Sequence, residues 1–325
     1  MSYTLATGGQ GTVATAEVVW SVNGQTYKFR SDNNFLSWIQ TIFDVADVIN
    51  GGGGDLLVSS DQLPPVQGGS GNLWAEYIVA GSVVGDARGI GAVDWQQSRS
   101  NATQVASGDR ATVGGGGFNT ASADYATVGG GRGNTASANY ATVGGGKSNT
   151  ASSYYATVGG GYSNTASGEY ATVGGGRQGL ADRYGMFAHA SGIFSAQGDA
   201  QAVEFVARNT TTGATSSVLF LDGSSTVFGV SNNSLLSGIL TISGFSTTGA
   251  KVGLYQRSIS IKNVGGTTTL VHSSTISTDH EDDANWNVTI TADNATDSLN
   301  ISCLGSAGDT VRWVAVFRGL QILMP

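Results

Sequence analysis

The sequence predicts an all-β chain. A parallel β-roll of 15-residue repeats is followed by an antiparallel β-sandwich of jelly-roll kind and preceded by a small hairpin-helix module. Three observations carry this. A 15-residue unit recurs from Ala111 to Tyr184. Turn-punctuated strand patterns fill about the last 120 residues. Glycine supplies 50 of the 325 residues, about twice its usual share.

The repeats run ATVGGGGFNTASADY, ATVGGGRGNTASANY, ATVGGGKSNTASSYY, ATVGGGYSNTASGEY and a degrading ATVGGGRQGLADRY. Val113, Val128, Val143, Val158 and Val173 mark the period, as do Tyr125, Tyr140, Tyr155 and Tyr170. Val105-Ala106-Ser107 fits a weaker turn before them. Three consecutive glycines exclude a helix. The unit fits one solenoid turn of two short strands and two bends. In Tyr125-Ala126-Thr127-Val128, alternation turns Ala126 and Val128 inward and Tyr125 and Thr127 outward. Ala136 points inward from the second strand. Gly129 to Gly131 and the Asn134 region supply the bends. Turns then stack about 4.8 Å apart. A filling of Ala and Val alone buries too little apolar surface to offset ordering the backbone. The roll is therefore expected to pack on identical chains, and a homotrimer is the expected assembly.

Before the roll, residues 16–30 read as a hairpin around Asn23-Gly24. A helix is expected from about Asn33 to Asn50, capped by Ser31 or Asp32 and stopped by Gly51. Its positions Phe35, Ile39, Ile42, Ala46 and Ile49 follow a heptad seam. They suit an amphipathic helix covering the hairpin and an axial three-helix bundle equally. The expected divisions are 1–50 for this module, 51–84 for a linker, 85–202 for the roll with its caps and 203–325 for the sandwich. Tyr184 to Ala202 carries larger apolar residues suited to plugging the end of the roll. Beyond it, strand-like runs occupy Ser217–Asp222, Thr226–Val230, Leu235–Phe245, Lys251–Asn263, Thr267–Thr275, Trp286–Ala292, Ser298–Leu304 and Val311–Arg318.

Composition removes several function classes. The net charge is −8, and no Lys/Arg stripe is expected to offset it, which argues against nucleic acid as a partner. Gly, Ser or Thr breaks every apolar stretch before the roughly 18 residues that a membrane span needs. The opening MSYTLATGG gives no sign of a secretory signal. Cys303 is the one cysteine, so no intrachain disulfide and no Cys-based zinc site are expected. No cofactor and no metal are expected.

The YATVGGGxxNTAS turns resemble the head repeats of trimeric autotransporter adhesins, which form left-handed parallel β-rolls in trimers. The order of parts is more similar to bacteriophage tail fibres and short tailspikes. That resemblance rests on Gly89-Ile90-Gly91-Ala92-Val93-Asp94-Trp95-Gln96 with Ser98-Arg99, on Tyr184 to Gly192, on Gly198-Asp199-Ala200-Gln201, and on Val311-Arg312-Trp313-Val314-Ala315-Val316. It covers roughly residues 85–325. It implies a virion protein of the phage tail, an N-terminal module that docks on a tail or baseplate protein, and a distal part that attaches to host-surface polysaccharide. It implies no catalytic residue.

Several motifs have plainer readings. Ala141 to Ser148 satisfies a relaxed phosphate-loop pattern, but the sister turns place Gly-Phe, Arg-Gly, Tyr-Ser and Arg-Gln in the Lys147-Ser148 slot. Calcium-binding nonapeptide repeats need an Asp in each turn and a different period. The Thr127, Thr142, Thr157 and Thr172 rank is too narrow, beside bulky tyrosines, for an ice-binding face. Asp279-His280-Glu281-Asp282-Asp283 reads as a solvated loop before it reads as a cation site. His189 and His272 have no Ser and Asp arranged around them as a triad. Trp286 and Trp313 read as core.

Glycan attachment asks less of a sequence: aromatic surfaces and polar side chains on exposed edges. The pair after each Gly-Gly-Gly lines one edge with Arg132, Lys147, Tyr162 and Arg177. Expected receptor contacts are Tyr162 and Arg132 on this edge and Tyr255, Arg257 and His272 in the sandwich. The expectation is a non-enzymatic adhesin. A polysaccharide depolymerase is the first alternative and a structural spacer or decoration protein the second.

Overall fold

The computed structural model describes residues 4–5, 16–22, 25–31, 73–74 and 88–324. The expected helix and most of the expected linker lie outside them. Contacts divide the chain at Pro64/Pro65. In the first unit, β1 (Thr4–Leu5), β2 (Ala16–Val22) and β3 (Gln25–Ser31) form a three-stranded antiparallel sheet. Val22 pairs with Gln25 across Asn23-Gly24, as a two-residue hairpin requires. The β1 strand was not foreseen; it pairs with β2.

The second unit opens with β4 (Leu73–Trp74) and β5 (Val93–Asp94). The repeats follow as β6 (Thr112–Val113), β7 (Thr120–Ala121), β8 (Thr127–Val128), β9 (Thr135–Ala136), β10 (Thr142–Val143), β11 (Thr150–Ala151), β12 (Thr157–Val158), β13 (Thr165–Ala166), β14 (Thr172–Gly176), β15 (Leu180–Ala181) and β16 (Phe187–Ala190). Each repeat pairs parallel and in register with the next, Thr127 with Thr142 and Thr135 with Thr150. The inward residues are those the alternation selects: Ala126, Val128 and Ala136, with their equivalents, are fully buried.

The expected two-sided turn has a third ladder. Gly117, Arg132, Lys147, Tyr162 and Arg177 join in a chain of single-residue parallel bridges. Ala and Val are not the whole filling either. Asn119, Asn134, Asn149 and Asn164 are wholly buried and form a column. Asn134 Oδ1 accepts from the Asn149 N–H at 2.9 Å, while its Nδ2 donates to the Gly130 and Gly146 carbonyls at 2.9 and 3.0 Å. Gln96 Oε1 continues the column below and the Gly179 N–H above. Every member is satisfied, so the polar column adds hydrogen bonds without an orphaned amide.

Tyrosines occupy a corner that the sequence assigned to the outward strand face. Tyr125, Tyr140, Tyr155 and Tyr170 adopt φ of 59°, 60°, 55° and 57°, left-handed backbone that costs a residue with a side chain about 1–2 kcal/mol. Their rings stack at 4.9, 4.8 and 5.4 Å, and an aromatic pair returns about 0.5–1.5 kcal/mol.

Both ends of the roll are sealed by polar side chains. At the start, Arg99 Nη2 lies 2.9 Å and Arg88 Nε 3.2 Å from the buried Asp94 Oδ2. At the finish, Gln201 accepts from the Leu180 N–H and donates to its carbonyl, standing in for the next strand. Met186 takes the slot held by alanine in the turns below.

Beyond the roll lie β17 (Ala200–Thr212), β18 (Ser216–Val218), β19 (Phe228–Gly229), β20 (Ser234–Ser246), β21 (Val252–Val264), β22 (Thr267–Thr275), β23 (His280–Glu281), β24 (Asn287–Asp293), β25 (Ser298–Leu304) and β26 (Thr310–Leu323). The long strand β17 was missed: the expected boundary at 202/203 falls inside it. β17 pairs antiparallel with β16, so the order β22-β21-β20-β26-β17 continues the sheet of the roll. The smaller sheet sets β18 and β19 on one side of β25 and β24 on the other. One core joins the two sheets: Phe205 lies 4.5 Å from Phe228, and Trp286 5.2 Å from Trp313. Among the described residues there is no helix.

Candidate functional site

The most distinctive side chains on the roll stand on its third ladder. The final glycine of each triplet makes the approach possible. Gly131 has φ of 85°, and a Cβ there would overlap the Gly146 carbonyl of the next turn. The residue that follows has both backbone groups committed. Lys147 N–H donates to Gly161 O at 2.9 Å, and Lys147 O accepts from the Ser163 N–H at 2.9 Å. Only the side chain is left, facing solvent. Arg132, Lys147, Tyr162 and Arg177 are all exposed. Their heads lean on rings: Arg132 lies 5.0 Å from the Phe118 ring, and Lys147 and Arg177 lie 5.5 and 6.0 Å from Tyr162.

The structure thus brings expected Arg132 and Tyr162 into one column, with Lys147 and Arg177 alongside. It places the other three expected contacts elsewhere. Tyr255 is corrected: at 1% exposure it is a core residue, its ring 6.2 Å from Trp313, and no receptor could touch it. Arg257 holds Asp279 through two bonds of 2.6 Å and is only partly exposed. His272 is exposed and reaches Ser274 Oγ at 3.0 Å. The stacked tyrosines offer ring edges rather than faces. Arg110 covers one end of the stack, 5.3 Å from Tyr125, and Tyr184 meets Tyr170 edge-on at the other.

The acidic run is not an open loop throughout. His280 and Glu281 pair with Leu254 and Gly253. Three of its four carboxylates have protein partners: Asp279 binds Arg257, Asp282 accepts from the Val252 N–H, and Asp283 binds Lys251. Among the described residues, no three His, Cys, Asp or Glu side chains gather as a metal site. No described helix is long and apolar enough to cross a membrane.

Two places bring carboxylates together. Asp283 and Asp309 share Lys251 Nζ at 2.8 and 2.9 Å, and Ser306 Oγ donates to both. Lys251 first, then N–H and O–H donors, hold both acids below the usual carboxylate range. Neither suits proton donation at neutral pH, which needs a raised value. The second place is beside Tyr255, whose hydroxyl is buried without a hydrogen bond. Burial first, and the neighbouring Glu281 second, push that phenol far up. The sequence reading named Asp279 and Glu281 only within a solvated acidic loop; their placement beside Arg257 and Tyr255 depends on pairing with a strand distant in sequence. Burial also pushes the Cys303 thiol up, and it sits in the core.

No family model matches the sequence, and no curated protein matches it. Solved structures do. The chain is similar to the tailspike of Acinetobacter phage vB_ApiP_P1, at 10% identity and a TM-score of 0.23, over 66% of this chain and 47% of that one. It is also similar to the tailspike gp49 of Acinetobacter baumannii bacteriophage Fri1, at 8% identity and a TM-score of 0.25, over 72% of this chain and 50% of that one. The chain spans about half the length of these tailspikes. The gp49 protein is described as a capsular polysaccharide depolymerase. The expectation of a non-enzyme stands against that description.

Proposed function

We propose that this chain is part of a phage tailspike that engages polysaccharide on the host surface. The observation that carries the reading is the third ladder. Cationic and aromatic side chains project from a backbone hydrogen-bonded from turn to turn, an edge suited to an extended chain of sugars. Purified protein on an array of bacterial polysaccharides is the test. Retention on at least one glycan is expected; retention on none would leave the spacer or decoration role.

Cleavage of the bound glycan is the second reading, and one observation favours it. Glu281 stands exposed beside the unbonded Tyr255 hydroxyl, with Asp279 two residues away. Glycoside hydrolysis runs on two carboxyl groups. The retained glycan should release reducing ends, and Glu281→Gln should stop release while leaving retention intact. Binding without release by the unaltered protein would end this reading.

Association with two further copies belongs to the same proposal. Val206, Ile239, Val314, Leu320 and Ile322 leave an apolar outer face on the large sheet. Light scattering should report three chains per particle, and a monomer would remove the trimer. The N-terminal hairpin is the expected docking module for a tail protein, and removing residues 1–50 should abolish incorporation into virions without affecting glycan retention.

A further inference from the structure

The overall charge hides a local reversal. Along the third ladder, three cations out of 15 in the chain stand in one file, Arg132 and Lys147 on adjacent rungs and Arg177 two rungs on. Adjacent rungs are about 4.8 Å apart at the backbone; Arg132 leans toward Phe118 of the turn before it and Lys147 toward Tyr162 of the turn after it, so the heads splay apart while all three cations stay on one edge. Among the described residues no carboxylate offsets this positive file. The described ion pairs engage Arg88, Arg99, Arg183, Lys251, Arg257, His280 and Arg318, and none involves these three. Their only described side-chain contacts are with the rings of Phe118 and Tyr162.

Nor does the fold need charge there. The Ala, Thr, Val and Gly-Gly-Gly positions repeat without change through five turns, whereas this slot holds Gly117, Arg132, Lys147, Tyr162 and Arg177. Gly117 makes the same bridge with no side chain at all. A position that the backbone leaves free has been filled with uncompensated cations. Each lies against an aromatic ring, which limits its wandering while leaving its N–H donors unspent.

From this we infer that the third ladder is a binding site for an acidic polysaccharide, with its carboxylate or phosphate groups seated along Arg132, Lys147 and Arg177 and a sugar ring beside Tyr162. The inference rests on the proposed engagement of host glycan and deepens it by naming the charge of the ligand. A neutral glycan would leave the three cations without an acidic partner; an anionic one supplies it on binding.

The experiment uses the full chain and its triple variant Arg132→Gln, Lys147→Gln, Arg177→Gln, with circular dichroism and melting to establish that both fold alike. Probes are polygalacturonate, a polyglycerol phosphate and neutral dextran, with duplex DNA as a control. Polygalacturonate or polyglycerol phosphate should bind at least about 10-fold tighter than dextran, and raising salt from about 20 to 500 mM should remove the difference. The stronger of the two identifies carboxylate or phosphate as the charge read. The triple variant should lose at least about 10-fold for that probe, as expected for several cations lost together. Equal binding by the variant, salt-independent binding, or DNA bound as tightly as the acidic glycan would each overturn the inference. A protein retained on neutral glycans of the array, with the variant unchanged, would sink the acidic ligand and leave polysaccharide engagement standing. Retention on no glycan would sink both.

Discussion

The roll and the C-terminal sheets solve the same problem with opposite materials. Between Ala111 and Ala181 nothing larger than valine is fully buried among the apolar residues, and the column Asn119, Asn134, Asn149 and Asn164 shares the interior. Beyond Ala200 the interior holds Phe205, Phe228, Tyr255, Trp286, Trp313 and Phe317. Partners in the roll lie one repeat apart, as Thr127 and Thr142 do. In the large sheet β17 pairs with β26, joining Phe205 to Phe317. Local periodicity lets hydrogen bonds do what apolar mass does elsewhere. The cost of closing long loops explains why the second region needs the larger side chains.

Perturbing each interior tests that contrast. Trp313→Ala should have the largest effect, about 3–5 kcal/mol in denaturant unfolding, by emptying the aromatic core and orphaning Thr211 Oγ1. Asn149→Ala should cost about 3 kcal/mol, because it strips an acceptor from the Asn164 N–H and donors from the Gly145 and Gly161 carbonyls. A cost near zero would mean that the amide column is dispensable. Ala151→Leu should cost about 1–3 kcal/mol by overfilling a roll with no spare volume; a neutral result would break the contrast in packing. Tyr155→Ala keeps the left-handed corner and loses three ring contacts, so about 1–2 kcal/mol is expected in thermal melts.

Acid should separate the regions most gently. Asp283 and Asp309 are held below their ordinary values in the fold, so the folded chain binds fewer protons than the unfolded one. Their contribution is complete above about pH 4 and fades as the pH falls through the folded-state values. The amide column of the roll has no titrating atom. Segment-resolved hydrogen exchange should therefore show opening around Lys251 and Asp309 on acidification before the roll opens; simultaneous opening would show that the two regions form one cooperative unit.

The repeat strands were legible because a period of two within a period of 15 names every inward residue. The strands at 267–275 and 298–304 were likewise readable to the residue from turn signals. Strand β17 was not. Its alanines, Gln201 and run of threonines carry no strong apolar alternation, and pairing with β16 and β26 holds it extended. Tyr255 looked like a surface contact because a tyrosine on an alternating strand fits either face. Trp313 and Trp286, distant in sequence from it and from each other, decide which face is covered.

The sequence by itself determined the repeat unit, its inward alanines and valines and the variable slot after each Gly-Gly-Gly, because these depend on neighbours within one period. Tertiary structure alone decided that the asparagines close into a satisfied column, that tyrosines take left-handed corners, and that the roll runs on into the C-terminal sheet. Each of those needs atoms from a different turn or a remote strand to make the local choice affordable, and no window of sequence contains both partners.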